Sequence, residues 1–323
     1  PYNGRVRVFL TRQLPGPAVE EIRQAGFELE VWPEFLPPPR AVLLERVRGV
    51  SGLIPTVDDP VDAAVMDAAG PGLRVIANYA VGVNNVDLEA ARARGIRVTN
   101  TPGVNMEATA DLAFSLLCAV ARRLVEGVDY VRRGEWSTWH PELLLGTELH
   151  GATLGLLGFG AIGQAMARRA RGFSMRLLYH SRNPKPEALA LGAEYRGLED
   201  LLAESDLVSI HTPLTPATHQ LMNRERLRQM KRGAILVNTA RGPIVDTHAL
   251  LEALRSGHLG GAGLDVTDPE PLPVDHPLLS FPNVVITPHL GSAGRRTRER
   301  MTEVAVRNLL AVLSGLEPPN PVV

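Results

Sequence analysis

Three glycines set two residues and then three apart occur in the run Gly155-Leu156-Leu157-Gly158-Phe159-Gly160-Ala161-Ile162-Gly163-Gln164. Such spacing suits the grip of a dinucleotide. Gly158 makes a sharp strand-to-helix turn, Gly160 lets bare backbone approach a pyrophosphate, and Gly163 lets the helix pack closely on the strand. A tight turn with no ligand uses the same residues, so context matters. The apolar run Thr153 to Leu157 reads as a buried strand before the turn. Ala161 to Arg171, with Ile162, Ala165, Met166 and Ala170, reads as the helix after it. The free N–H groups at that helix start, with the positive dipole end, would hold phosphates.

The next strand, read over Met175 to Tyr179, ends in Tyr179-His180-Ser181-Arg182-Asn183-Pro184-Lys185. An NAD site places Asp or Glu there for the ribose 2′-hydroxyl, whereas an NADP site supplies room and positive charge. No acid occurs from Arg176 to Pro186, and Ser181, Arg182 and Lys185 offer a hydroxyl and two cations suited to a 2′-phosphate. Lys185 and Lys231 are the only lysines in an arginine-rich chain. The residues predict a preference for NADP(H), with NAD(H) also possible; a solvated basic loop is the alternative.

Arg241, Glu270 and His289 each follow an apolar run that reads as a strand, in Ile235-Leu236-Val237-Asn238, Gly263-Leu264-Asp265-Val266 and Val284-Val285-Ile286-Thr287. Open α/β sheets carry their chemistry at such strand ends. A guanidinium can fork onto a carboxylate and an adjacent carbonyl. An imidazole paired with a carboxylate is a general acid–base catalyst. Singly, the three could equally be a structural ion pair, a solvated turn and a cap, and spacing does not establish that they converge.

The elements that would position these groups alternate along the chain. Before the glycine run, strands are expected at Val6–Leu10, Phe27–Val31, Gly52–Ile54, Val75–Ala77 and around Val98. Helices are expected at Pro17–Ala25, Arg40–Val47, Val61–Ala69 and Leu88–Arg94. One long helix is expected over Met106–Val125, with the Arg122-Arg123 pair complementing its dipole. The segment Asp129–Leu149, with Trp136, Trp139 and His140, reads as an arm that packs on something, such as another subunit. Strands at Leu207–His211, Ala234–Asn238, Gly263–Val266 and Val284–Thr287 follow. Helices are expected at Leu198–Ala203, Arg224–Met230, Thr247–Ser256 and Arg298–Leu313. Alternation at this pace predicts parallel sheets covered on both faces.

The 323 residues are 45% hydrophobic and 21% charged, as in an ordinary globular protein, and leave room for two domains. A net charge of -1 gives no electrostatic reason to expect nucleic acid or a membrane as partner. No metal site is expected. The single cysteine, Cys118, reads as a small core hydrophobe, and the start Pro1-Tyr2-Asn3-Gly4-Arg5 lacks a leader's apolar stretch. A cytoplasmic location is expected.

Several motifs together carry a resemblance. Asn238-Thr239-Ala240-Arg241-Gly242, Ala262-Gly263-Leu264-Asp265-Val266 with Glu270-Pro271, and Thr287-Pro288-His289-Leu290-Gly291-Ser292 resemble the D-isomer-specific 2-hydroxyacid dehydrogenases. So do Asn100-Thr101-Pro102-Gly103, Ala108-Thr109-Ala110-Asp111 and Val81-Gly82 with Asn84 and Asp87. Ser181-Arg182, Trp139 and Pro271-Leu272-Pro273 are most similar to the glyoxylate/hydroxypyruvate reductases of that family.

The resemblance implies α/β architecture with two domains, each a doubly wound parallel sheet. A Rossmann cofactor domain (100–287, with a dimerisation helix and arm) would be inserted into a flavodoxin-like substrate domain (1–99 and 288–323), joined by a hinge beside the active site. It implies NADPH-dependent reduction of glyoxylate or hydroxypyruvate, small 2-oxo acids, by a homodimer. Val81 and Gly82 would offer N–H groups to the substrate carboxylate, and Arg241 would bind the carboxylate and polarise the carbonyl. His289 would give the proton, and Glu270 would keep it protonated. Thr239 and Asp265 would lie on the nicotinamide side, Gly160, Ala161 and Ile162 on the pyrophosphate, and Gly291 would also bind the cofactor. Trp139 would narrow the neighbouring subunit's substrate site. Pro213 departs from the small polar residue of some relatives, so no side-chain contact is expected there. The alternatives are a dehydrogenase for 3-phosphoglycerate or D-lactate, and a nucleotide-sensing corepressor of the same fold. Val323 closely follows the last helix, which speaks against the long tail of such a corepressor.

Overall fold

The structure, a computed structural model, describes residues 6–323; the five N-terminal residues read above for a leader lie outside them. The chain forms two units. One runs to Asn105 and resumes over Ala293–Val323, and the other is Met106–Ser292. Within the second unit, Asp265 holds the backbone of Leu290 and Gly291.

The first unit carries a five-stranded sheet: β1 (Arg7–Leu10), β2 (Glu28–Val31), β3 (Gly52–Ile54), β4 (Val75–Ala77) and β5 (Arg97–Thr99), in the order β2-β1-β3-β4-β5. Every pairing is parallel. This order is the flavodoxin-like form of the doubly wound sheet. Successive residues of β1 feed opposite faces: Val8 and Leu10 pack with Ile22, Ala305 and Leu309, whereas Phe9 packs with Leu43, Val65 and Val98. Both faces are covered, which explains why such strands read as unbroken apolar runs.

The second unit carries seven parallel strands: β6 (Thr153–Leu157), β7 (Arg176–His180), β8 (Ala193–Tyr195), β9 (Leu207–Ile210), β10 (Ala234–Asn238), β11 (Leu259–Leu264) and β12 (Val284–Ile286). Their order is β12-β11-β10-β9-β6-β7-β8. This is the Rossmann arrangement, whose order reverses between β6 and β9. Leu236 of β10 faces one core with Leu157 and Leu264, while Ile235 and Val237 face the other with Leu116 and Leu156.

Four expectations need correction. The helix read as Met106–Val125 ends at Ala121, and a second runs Leu124–Arg132 and so takes the first residues of the arm. Between them Arg123 adopts a left-handed φ of 51°, with its guanidinium forked onto Glu126 at 2.8 and 2.7 Å. The strand read from Gly263 begins at Leu259. Its glycines are there for packing: a Cβ on Gly261 would lie 2.6 Å from Val120, and one on Gly263 3.0 Å from Leu116. The edge strand β8 and the Glu187–Leu191 helix before it went unread, and the last helix starts at Arg295 rather than Arg298. Among the described residues no helix is long and apolar enough to cross a membrane.

Candidate active site

β10, β11 and β12 are neighbours, so the segments leaving their C-terminal ends emerge side by side. Arg241 comes from the first, Glu270 from the second and His289 from the third. Convergence, which spacing left open, follows from strand order.

Two local devices shape the Arg241 turn. The buried Asn238 side chain takes the Ala240 N–H at 3.0 Å and donates to the Arg241 carbonyl at 2.9 Å. Gly242 then presses against the next turn, where a Cβ would lie 1.9 Å from the Thr267 carbonyl oxygen. Only glycine permits that approach, and it brings the guanidinium within electrostatic reach of Glu270. Burial pushes the Arg241 guanidinium down from its ordinary value, and the Glu270 charge opposes the shift.

Glu270 Oε1 meets His289 Nδ1 at 2.5 Å, and Oε2 accepts the Thr267 N–H at 3.2 Å. Burial alone would raise the Glu270 carboxyl. The His289 ring, the Thr267 N–H and the Arg241 charge outweigh it and hold the group below the usual carboxylate range. His289 has a left-handed φ of 53°, and its N–H donates to the carbonyls of Asp265 and Thr287, each at 3.0 Å. Such a backbone is costly for a side chain with a Cβ and persists where surroundings enforce it. Asp265 does the enforcing: it accepts from Thr287 Oγ1 at 2.6 Å, Leu290 N at 2.6 Å and Gly291 N at 2.8 Å. Burial still pushes this carboxyl up, against those donors and the nearby His289. The sequence assigns Asp265 to the nicotinamide side and Gly291 to the cofactor, but it signals neither their bond to one another nor the parts of Asn238 and Gly242.

The glycine turn has the shape a dinucleotide requires. Gly158 has φ 96°, and a Cβ there would meet the His211 carbonyl oxygen at 2.6 Å. Gly163 is needed for its approach to Gly158 itself, whose carbonyl oxygen a Cβ would meet at 2.3 Å. A Cβ on Gly160 would meet nothing within 4 Å, so open space lies above this one residue. Gly160 caps the Ala161–Arg171 helix, whose first turn holds neither a side-chain cap nor an acid. The N–H groups around Ala161, Ile162 and Gly163 thus start a helix with no intrahelical acceptor, a ready phosphate site. The residues fit the group. Beneath the turn, burial pushes His211 down to about 4, so its ring is neutral near pH 7.

At the end of β7, Ser181 Oγ donates to the Asn183 carbonyl at 2.6 Å, so that hydroxyl is engaged locally. Arg182 and Lys185 are exposed. Lys185 is anchored through its backbone N–H to the Tyr179 hydroxyl at 2.8 Å. Thr239 is buried with a hydroxyl that has no partner among the described residues. Val81 and Gly82 follow β4 in the other unit, Val81 exposed and Gly82 half-buried. Trp139 is 80% exposed, and no residue of the Leu124–Arg132 helix is buried. Among the described residues no cluster of three or more His, Cys, Asp or Glu side chains could hold a metal.

A family profile described as D-isomer specific 2-hydroxyacid dehydrogenase, NAD binding domain, matches residues 114–291. A glyoxylate reductase of Thermococcus kodakarensis is 53% identical over 320 residues, spanning 98% of this chain and 95% of that protein. Among solved structures, the TT0316 protein from Thermus thermophilus superposes with a TM-score of 0.94 at 66% identity, covering 98% of this chain and 100% of that one. An NADPH-dependent glyoxylate/hydroxypyruvate reductase from Sinorhizobium meliloti, in complex with citrate, reaches a TM-score of 0.85 at 35% identity, covering 99% and 98%.

Proposed function

Since this chain belongs to the D-isomer-specific 2-hydroxyacid dehydrogenases, NAD(P)-dependent oxidoreductases, we propose that it reduces glyoxylate and hydroxypyruvate and prefers NADPH to NADH. The carrying observation is the His289–Glu270 pair at 2.5 Å, one strand over from Arg241. A bound nicotinamide would supply hydride to the carbonyl carbon. His289 faces Glu270 through Nδ1, which leaves Nε2 to hold the proton that goes to the carbonyl oxygen. The product is then glycolate or D-glycerate. Arg241 forks onto the substrate carboxylate and carbonyl and stabilises the oxygen as charge builds on it. The N–H groups of Val81 and Gly82 take the same carboxylate. Thr239 and Asp265 belong to the nicotinamide end and Gly291 to the cofactor site; the unpartnered Thr239 hydroxyl supports the first.

Arg182 and Lys185 support the NADPH preference, since each is exposed at the end of β7 and no acid occurs from Arg176 to Pro186. The unburied Leu124–Arg132 helix supports a homodimer in which Trp139 reaches the partner's substrate. A cytoplasmic location completes the reading, supported by a single cysteine without a partner.

The test is a panel of 2-oxo acids (glyoxylate, hydroxypyruvate, pyruvate and phosphohydroxypyruvate) assayed with NADPH and with NADH. We expect kcat/KM to be highest for the first two acids and with NADPH. Best turnover of pyruvate or of the phosphorylated acid would overturn the substrate assignment, and equal kcat/KM with both cofactors the cofactor preference.

A further inference from the structure

Three consecutive peptide groups follow β4, and the protein anchors the carbonyl of each. Ala80 O accepts the Thr101 N–H at 2.9 Å, Val81 O accepts Asn100 Nδ2 at 2.8 Å, and Gly82 O accepts Asn78 Nδ2 at 2.8 Å. These peptides are trans. In a planar trans peptide the N–H points opposite to the carbonyl, so fixing one fixes the other. The N–H groups of Val81, Gly82 and Val83 are therefore each fixed, every one pointing away from the anchor of its own peptide. Among the described residues none of the three donates to a protein acceptor.

The anchoring side chains are themselves fixed. Asn78 is fully buried and pairs reciprocally with Asn85, Nδ2 to Oδ1 at 3.2 Å and Oδ1 from Nδ2 at 2.9 Å. Asn85 reaches on to the carbonyl of Thr56 at 2.9 Å. On the other side, the Asn100 carbonyl takes Asn308 Nδ2 at 2.9 Å, and Asn308 Oδ1 takes the Asn320 N–H at 3.1 Å. A chain of side-chain amides thus sets the angle of a loop with no regular structure of its own.

We propose that Asn78 and Asn100 are positioning residues for the substrate: through the carbonyls of Gly82 and Val81 they aim the N–H groups of Val83 and Gly82 at the carboxylate of the 2-oxo acid. The inference rests on the reading of this loop as the carboxylate holder, and it adds Val83 to that holder. Successive backbone N–H groups form a concavity that binds anions. Donors aimed in advance spend no reorganisation energy when the anion arrives. Each asparagine can do this because its amide Nδ2 donates to a carbonyl while its Oδ1 accepts or stays free for a further partner.

The experiment measures KM and kcat for Asn100→Ala, Asn78→Ala and Gly82→Pro, with glyoxylate and with its uncharged methyl ester. Asn100→Ala should raise KM for glyoxylate about five- to thirtyfold, the range for weakened hydrogen bonds to a charged group. Its kcat should stay within about threefold, as expected for lost uniform binding. KM for methyl glyoxylate and for the cofactor should not move. Asn78→Ala should act in the same direction; if burial of that side chain costs it the fold, Asn100→Ala carries the test alone. Gly82→Pro deletes one of the N–H groups and so tests the carboxylate reading itself. A raised KM in Gly82→Pro with an unchanged Asn100→Ala overturns the positioning role and leaves the loop's reading standing. Equal rises for acid and ester in Asn100→Ala also overturn the positioning role. An unchanged KM in all variants overturns both.

Discussion

Glu270 holds His289 from one side only: its Oε1 lies 2.5 Å from Nδ1, while Oε2 is tied to the Thr267 N–H, so the carboxylate cannot swing toward Nε2 without losing its own anchor. The pair has a fixed direction, and the free ring nitrogen is the one that can meet a substrate.

Removing either partner should have distinct effects. His289→Ala should lose about 10²–10⁴-fold in kcat, the usual contribution of a general acid. Glu270→Gln should act on pH dependence. Its carboxyl is held below the usual range, so it is anionic throughout the neutral region and lost as an anion only as pH falls through that depressed value. The anion orients the His289 ring through Nδ1, so Glu270→Gln should lower kcat at neutral pH and remove the acid limb that this carboxyl sets in the wild type. An unchanged neutral rate and acid limb in a folded Glu270→Gln protein would remove Glu270 from this role.

Arg182→Ala should erode NADPH affinity about ten- to a hundredfold, the scale of one charge-assisted contact to a phosphate, and leave NADH nearly unchanged. Dissociation constants from fluorescence titration of both cofactors decide it. Equal losses for the two would mean that Arg182 does not read the 2′-position.

The Leu124–Arg132 helix exposes Leu124, Val125, Val128 and Val131, and Trp136 and Trp139 stand out beyond it. Sedimentation should find a dimer at micromolar concentration, and Trp139→Ala should alter the ranking of 2-oxo acids. A fully active monomer would refute the arrangement; a dimer with an unaltered ranking would refute only the role of Trp139.

Much of this was legible in the sequence, for physical reasons. β3, β4, β6 and β10 have the bounds read from their apolar runs, because strands buried on both faces carry little else. The placement of Arg241, Glu270 and His289 beyond strand ends was legible because each follows such a run. The break at Arg123 was not, since a left-handed arginine has no sequence signature. Nor was the start of β11, where glycine, a poor strand former, is demanded by the Met106–Ala121 helix lying against it. Asp265 and Gly242 act by close approach between segments distant in sequence. That information belongs to the tertiary structure and not to any local pattern.

The adjacency of β10, β11 and β12 has a consequence for how such a chain tolerates change. Neighbouring strands sit about 4.8 Å apart whatever lies between them in sequence, so the hydrogen-bond ladder works as a ruler for the three side chains. The crossovers, including the Thr247–Arg255 helix, do not enter that measure. Insertions in the crossovers beyond Arg241 and Glu270 leave the ruler untouched, whereas a one-residue slip in any of the three strands would move its side chain off the mark. The geometry of the candidate site is thereby insulated from drift in the length of those distal loops and exposed to drift in register.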